Sequence, residues 1–308
     1  MPRWANWCSK SDGKPAVASV YATQLAACRT DNEINRLHIA LDTVITPREF
    51  EAVAGEMGNG GPPPVTAWIE RTRRAMLVSG LPTQPYARRS IAGQFWLYFH
   101  PDRGPAGRDL IIAFAGDAHR LMLPTPIFLQ HCRAETFDLL LLRDPARSYY
   151  LKGVEGIADD FPGLLAAVDG LVDRARYRRV LALGCSGGGL PAIWTAIAMD
   201  LARGISIGGT SPTLTDDPRL ATRGISFAPL ETLIASRQGA LPDMVVAFGA
   251  DCANDRRKAE ALATVLPVRF DIVPGVDRHN LVAELLQRGE LRAFLDRILA
   301  IDAPPAAA

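Results

Sequence analysis

Gly184-Cys185-Ser186-Gly187-Gly188 is a G-x-S-x-G sequence inside Arg179–Met199, RVLALGCSGGGLPAIWTAIAM. The stretch reads as strand, sharp glycine-rich turn, then apolar helix. A serine on such a turn takes a strained backbone conformation, and glycines on either side let helix and neighbouring strand approach. Its hydroxyl then lies at a helix N-terminus, where unpaired N–H groups and the helix dipole favour developing negative charge. The chemistry this suits is nucleophilic attack by Ser186. Two other readings compete: a plain glycine-rich turn, and the dinucleotide fingerprint G-x-G-x-x-A, matched by Gly187 to Ala192. That fingerprint needs an acid at the end of the next strand to hold a ribose. The next apolar run ends in ISIGGTS, with no Asp or Glu, and the nucleotide reading is set aside.

A serine nucleophile needs a base, an acid to orient it, and N–H donors for an oxyanion. Of the five histidines, His279 follows the last apolar run, VRFDIVPG, and precedes a helical pattern from Asn280. This places it at the carboxyl end of a strand, where such folds build their sites. His38 reads as packed or exposed, His100 and His131 as surface residues at element ends, and His119 as ambiguous. The acid should follow the preceding strand, MVVAFGADCAND. Asp251, at the strand's end, is preferred. Asp255 is the alternative, because the first turn of the following helix gives an acid there a sufficient structural role. Asp216 and Asp217 are more remote. For the oxyanion, the expected donors are the N–H of Gly187 and one from Gly116 or Asp117, in the loop after LIIAFA.

The elements that must hold these residues fall into two halves. Residues 1–88 carry helical signals, among them the capping box Thr46-Pro47-Arg48-Glu49, and the breaker cluster NGGPPP at 59–64. They are expected to form a mainly helical extension packed on the core. From about residue 90, short apolar runs recur at 94–99, 110–115, 137–142, 180–183, 205–208, 244–248 and 268–273. Helical patterns at about 154–174, 188–202, 255–265 and 280–300 separate the later runs. This alternation predicts an α/β fold, a mostly parallel sheet with helices on both faces. The catalytic domain is expected over 89–302, and the tail at 303–308 is expected to be disordered.

The elbow GCSGG, the acid-bearing GADCAND and the histidine of PGVDRHN, in that chain order, resemble the α/β-hydrolase superfamily over roughly residues 90–302. The resemblance implies a Ser–Asp–His acyl-transfer enzyme that needs no cofactor and no metal. It implies a serine hydrolase of carboxylesterase or thioesterase type, acting on a small-molecule ester or thioester through an acyl-enzyme. An acyltransferase with a sugar or alcohol acceptor stays open, as does a non-catalytic binding protein on the same fold. Bulk properties fit a soluble enzyme. The 308 residues are 48% hydrophobic and 22% charged, with a formal net charge of +1, which gives no electrostatic reason for a nucleic-acid partner. No apolar run approaches membrane-spanning length. The N-terminus lacks a signal-peptide core, and the five scattered cysteines form no CxxC pair, so a reduced, cytoplasmic setting is expected. Cys185 and Cys252, beside two candidate residues, are expected to act as small hydrophobes.

Overall fold

The computed structural model describes residues 17–58, 60–214, 218–237 and 240–299. The 303–308 tail, Asp216, Asp217 and Cys8 lie outside them. The described residues open with four helices: α1 (Val17–Ala27), α2 (Asp31–Leu41), α3 (Pro47–Met57) and α4 (Pro63–Leu77). Two begin in full capping boxes, Thr30 with Glu33 and Thr46 with Glu49, which satisfy otherwise orphaned N–H groups reciprocally. Strands β1 (Ala87–Ala92), β2 (Phe95–Phe99), β3 (Asp109–Phe114) and β4 (Phe137–Leu142) follow, with α5 (Thr125–His131) between the last two. Then come α6 (Phe161–Leu171), β5 (Arg179–Cys185), α7 (Gly189–Ala198), β6 (Arg203–Ile207), α8 (Pro218–Arg223) and α9 (Ala228–Ser236). The described residues end with β7 (Asp243–Gly249), α10 (Ala253–Ala263), β8 (Arg269–Val273), α11 (Leu281–Gln287) and α12 (Leu291–Leu299).

The strands form one eight-stranded sheet in the order β1-β2-β4-β3-β5-β6-β7-β8. Pairing is antiparallel at β1–β2 and β2–β4 and parallel from β4 through β8. The expected α/β class is therefore the one formed. Strand β1 carries no apolar run, and its arginine-rich sequence hid it from a reading based on hydrophobicity. The single helical pattern expected at 280–300 breaks into α11 and α12, with Gly289 at φ +72 between them. The helix expected from 154 begins only at Phe161, since Val154 and Ala158 instead close a small bridged turn.

Every residue of β3 and β4 is buried, and successive side chains feed two separate cores. Ile112, Phe114, Leu140 and Leu142 join the core formed with α6, α7 and α10. Ile111, Ala113, Leu139 and Leu141 face the other side, where α5, α11 and α12 pack together with the four N-terminal helices. Tyr21, Leu37, Phe50 and Trp68 thus share one apolar cluster with Trp96 and Tyr98 of β2. Polar links add direction to this layer. The Trp68 indole donates to Asp42 at 3.0 Å and stacks on His38 with centroids 4.4 Å apart. Tyr98 donates to the Val44 carbonyl at 3.0 Å, and the Thr125 N–H to that of Asp42 at 2.6 Å.

Burial, reinforced by Arg71, pulls His38 down to about 4 from its ordinary value. A folded-state value below the unfolded one means the unfolded chain takes up a proton first on acidification. The associated stability is complete above about pH 6.5 and is lost progressively towards about pH 4. The drop in urea midpoint between about pH 7 and about pH 5 should be smaller in His38→Gln than in the parent. Equal drops would place that acid sensitivity elsewhere.

Candidate active site

Ser186 opens a 3₁₀ turn, Ser186–Gly188, that joins β5 to α7. Its φ is +54, in the left-handed region that costs a non-glycine residue free energy. The turn closes this tightly because two glycines leave no side chain in the way. A Cβ on Gly184 would lie 1.9 Å from the Gly188 carbonyl oxygen, and one on Gly188 would lie 2.1 Å from that of Phe114. Helix α7 is buried from Gly189 through Ile197, so its apolar sequence anchors the turn to the sheet. The serine hydroxyl is thereby presented at the carboxyl ends of the central parallel strands.

His279 lies in the loop between β8 and α11. Asn280 next to it caps α11 by accepting the Ala283 N–H at 3.1 Å. The His279 Nε2 lies 2.9 Å from Ser186 Oγ. Its Nδ1 lies 2.9 Å from both carboxylate oxygens of Asp255. Serine, imidazole and carboxylate thus form one hydrogen-bonded line, in which the imidazole shares a proton with each neighbour.

The carboxylate in this line is that of Asp255, which corrects the preference for Asp251. β7 ends at Gly249 and the chain turns at once, with Cys252 N–H donating to the Gly249 carbonyl. Asp251 is left exposed on that turn, its N–H donating to the Val276 carbonyl at 3.0 Å. Helix α10 then starts at Ala253 and carries Asp255 inward on the face it shares with buried Ala259 and Leu262. The sequence held this signal. An acid at i with apolar residues at i+4 and i+7 sits on a helix's buried face, and a buried carboxylate requires a partner.

The loop after β3 passes directly over the serine. A Cβ on Gly116 would lie 2.8 Å from the Cys185 carbonyl oxygen and 3.2 Å from Ser186 Cβ. Gly116 does not serve as expected, however, because its N–H donates to the Arg120 carbonyl at 3.2 Å. The loop curls on itself through His119, whose φ is +59, and that curl consumes the donor. Gly187 and Asp117 remain the candidate backbone donors. The Asp117 side chain also reaches the serine turn, with Oδ1 2.8 Å from where a Gly187 Cβ would stand.

One flanking residue escaped the sequence reading. Tyr149 approaches Gly187 from the loop after β4, its Cε1 3.8 Å from that same Cβ position, and packs edge-on against Phe227. The loop is strained, with positive φ at Arg147, Tyr149 and Tyr150. It is held by the Asp144 carboxylate, which accepts from Ala146 N–H, Ser148 N–H, the Ser148 hydroxyl and Tyr150 N–H. No periodicity marks such a knot.

The remaining histidines make no hydrogen bond to this line. His100 and His131 are buried, contrary to the surface positions expected of them, and burial lowers both. His119 is also lowered, by burial and then by Arg147 and Arg143. Burial raises the thiols of Cys185 and Cys252, which keeps them protonated and poorly nucleophilic. Among the described residues no cluster of His, Cys, Asp or Glu could hold a metal ion, and no helix is long and apolar enough to cross a membrane.

No protein-family model matches the chain, and no curated protein is detectably similar to it. Solved structures are. The chain is similar to 2,6-dihydroxy-pseudo-oxynicotine hydrolase, with TM-score 0.51 and 16% identity over 97% of this chain and 96% of that one. It is also similar to the capsule O-acetyltransferase of Neisseria meningitidis serogroup A, with TM-score 0.48 and 12% identity over 72% and 97%. An esterase from Pyrobaculum calidifontis matches with TM-score 0.45 and 13% identity over 76% and 92%.

The turn's geometry carries its own test. Gly184→Ala should destabilise the protein by more than about 3 kcal/mol, since the added methyl meets backbone rather than a movable side chain. Urea unfolding measures this, and a loss below about 1 kcal/mol would show that the turn tolerates expansion.

Proposed function

The chain has the α/β-hydrolase fold, and we propose that it is a serine hydrolase that cleaves a small-molecule ester or thioester through an acyl-enzyme. The observation that carries this reading is the hydrogen-bonded line Ser186–His279–Asp255, built across a strained turn at the helix N-terminus. A serine with only a structural role needs neither an imidazole at its hydroxyl nor a positive φ.

In the proposed mechanism, Ser186 Oγ attacks the acyl carbonyl while His279 Nε2 takes its proton. Asp255 holds the imidazole in the tautomer with its proton on Nδ1, and stabilises the imidazolium that forms. The carbonyl oxygen becomes an oxyanion at the N-terminus of α7, facing the Gly187 N–H and the loop that bears Asp117. Each donor of this kind is typically worth about 3–4 kcal/mol to the transition state. As the tetrahedral intermediate collapses, the C–O or C–S bond to the leaving group breaks, and His279 gives its proton to the departing alcohol or thiol. Water then attacks the acyl-serine, His279 takes a proton from it, and a second collapse frees the acid and restores the serine.

Ser186→Ala should abolish hydrolysis of an aryl-ester panel while leaving the thermal transition nearly unchanged. Residual activity within tenfold of the parent would end the nucleophile assignment. Asp255→Asn should lower kcat by on the order of 10⁴, because the amide favours the wrong tautomer. Asp251→Asn should change kcat less than about threefold, as expected for an exposed residue away from the imidazole. The reverse order of effects would return the acid role to Asp251. Product analysis with and without an added alcohol separates hydrolysis from transfer.

A further inference from the structure

Asp255 has a cationic neighbour as well as the histidine. Lys258, one turn along α10, places its ammonium 3.5 Å from Asp255 Oδ1. The carboxylate side chain is 1% exposed and that of the lysine 21%, so this is not an ordinary solvated pair on a helix surface. With His279 neutral, the imidazole donates a hydrogen bond but brings no charge, and a buried carboxylate still needs compensation. The first turn of α10 provides part of it through the helix dipole. Lys258 provides the rest as a full charge.

The other groups around the carboxylate do not compete for this role. The Cys252 thiol, raised by burial and by the nearby carboxylate, is neutral. The Gly208 backbone covers the far oxygen, since a Cβ there would be 3.1 Å from Oδ2. Asp277 and Arg278, flanking His279, are exposed and 3.9 Å from one another. Across the serine turn, Asp117 lies beside Gly187. Arg256, also on α10, is turned away to the Ala250 carbonyl.

We propose that Lys258 is the standing counter-ion of the Asp255 carboxylate, and that it sets how far the medium can be acidified before the His279–Ser186 pair stops working. The sign follows from Coulomb's law. A proton arriving on His279 places a second cation against a carboxylate that Lys258 already partly neutralises, and the two cations repel. The lysine therefore disfavours premature protonation of the base and extends activity to lower pH. Lys258 is on this account a positioning residue that acts through Asp255, and it touches no reacting atom.

The proposal rests on the hydrolase reading for its activity assay but has a readout without turnover. The acid-limb midpoint of kcat/KM should move up by about 0.5–1 pH unit in Lys258→Met, which keeps the stem and removes the charge. Lys258→Arg, which keeps the charge, should stay within about 0.2 unit of the parent, and added salt should narrow the gap between Met and parent. The pH at which the His279 ring resonances titrate by NMR should shift by the same amount, whether or not an ester substrate has been found. A parent and Lys258→Met that titrate together, or an Arg variant that shifts as far as Met, would overturn the counter-ion role. If no ester is turned over while the NMR shift appears, the hydrolase reading fails and the counter-ion role stands.

Discussion

The site is organised around a steric bargain at the junction of β5 and α7. Ser186 is held at φ +54, a conformation costing a serine on the order of 1–3 kcal/mol unless the surroundings impose it. Here they do. Parallel pairing fixes β5 between β3 and β6, while α7 is buried along almost its whole length. The connection must cross from one to the other within three residues, and only a left-handed residue turns the chain that sharply. Because Gly184 and Gly188 approach to backbone contact, the turn cannot relax by widening without separating helix from sheet. Burial of the apolar face of α7 stabilises what the dihedral destabilises, and the result is a hydroxyl fixed in direction.

A fixed hydroxyl is useful only if the loops facing it are fixed as well, and the N-terminal helices contribute to that. The loop after β3 is braced at one end by Gly116 packing on Ser186 and at the other by Thr125, whose N–H is held by the Asp42 carbonyl. Arg120, within the loop, lies 4.0 Å from the Asp42 carboxylate. The Arg143 guanidinium, at the end of β4, donates to Thr43 at 3.1 Å. Asn280, adjoining the His279 imidazole, donates to the Met122 carbonyl at 3.2 Å. The segment joining α2 to α3 therefore meets both loops that border the serine turn. The N-terminal layer and the site share one set of constraints even though the layer supplies no member of the hydrogen-bonded line.

What was legible in the sequence follows the range of each interaction. Most of the sheet and the serine turn were readable because local sequence dictates both: nearly continuous apolar runs that suit strands covered on both faces, and glycines where a Cβ has no room. His279 was readable from its place after the last strand. The carboxylate that meets it was not, because the choice between Asp251 and Asp255 depends on where α10 begins, and strand ends are set by turns rather than by hydrophobicity. Here the Cys252–Gly249 turn placed Asp251 outside and Asp255 inside. The engagement of the Gly116 N–H was hidden for a related reason. Its N–H is spent on Arg120, a bond created by the curl at His119 that no residue pattern announces. Tyr149 and its Asp144 knot were hidden because irregular backbone has no period to detect.

The position of Asp255 explains why an acid on a helix suits this site better than one on the strand-end turn. An exposed carboxylate at Asp251 would interact with imidazolium across water, where screening leaves little of the attraction. On the buried face of α10, the carboxylate meets the imidazole through both oxygens in a medium that screens far less. The same burial makes the resting charge expensive, and the helix offsets that cost in two ways: its N-terminal dipole acts on residues of the first turn, and its i+3 position carries a lysine within 3.5 Å. A strand end offers neither. Strength of coupling to the histidine and tolerance of the buried charge thus come from one element.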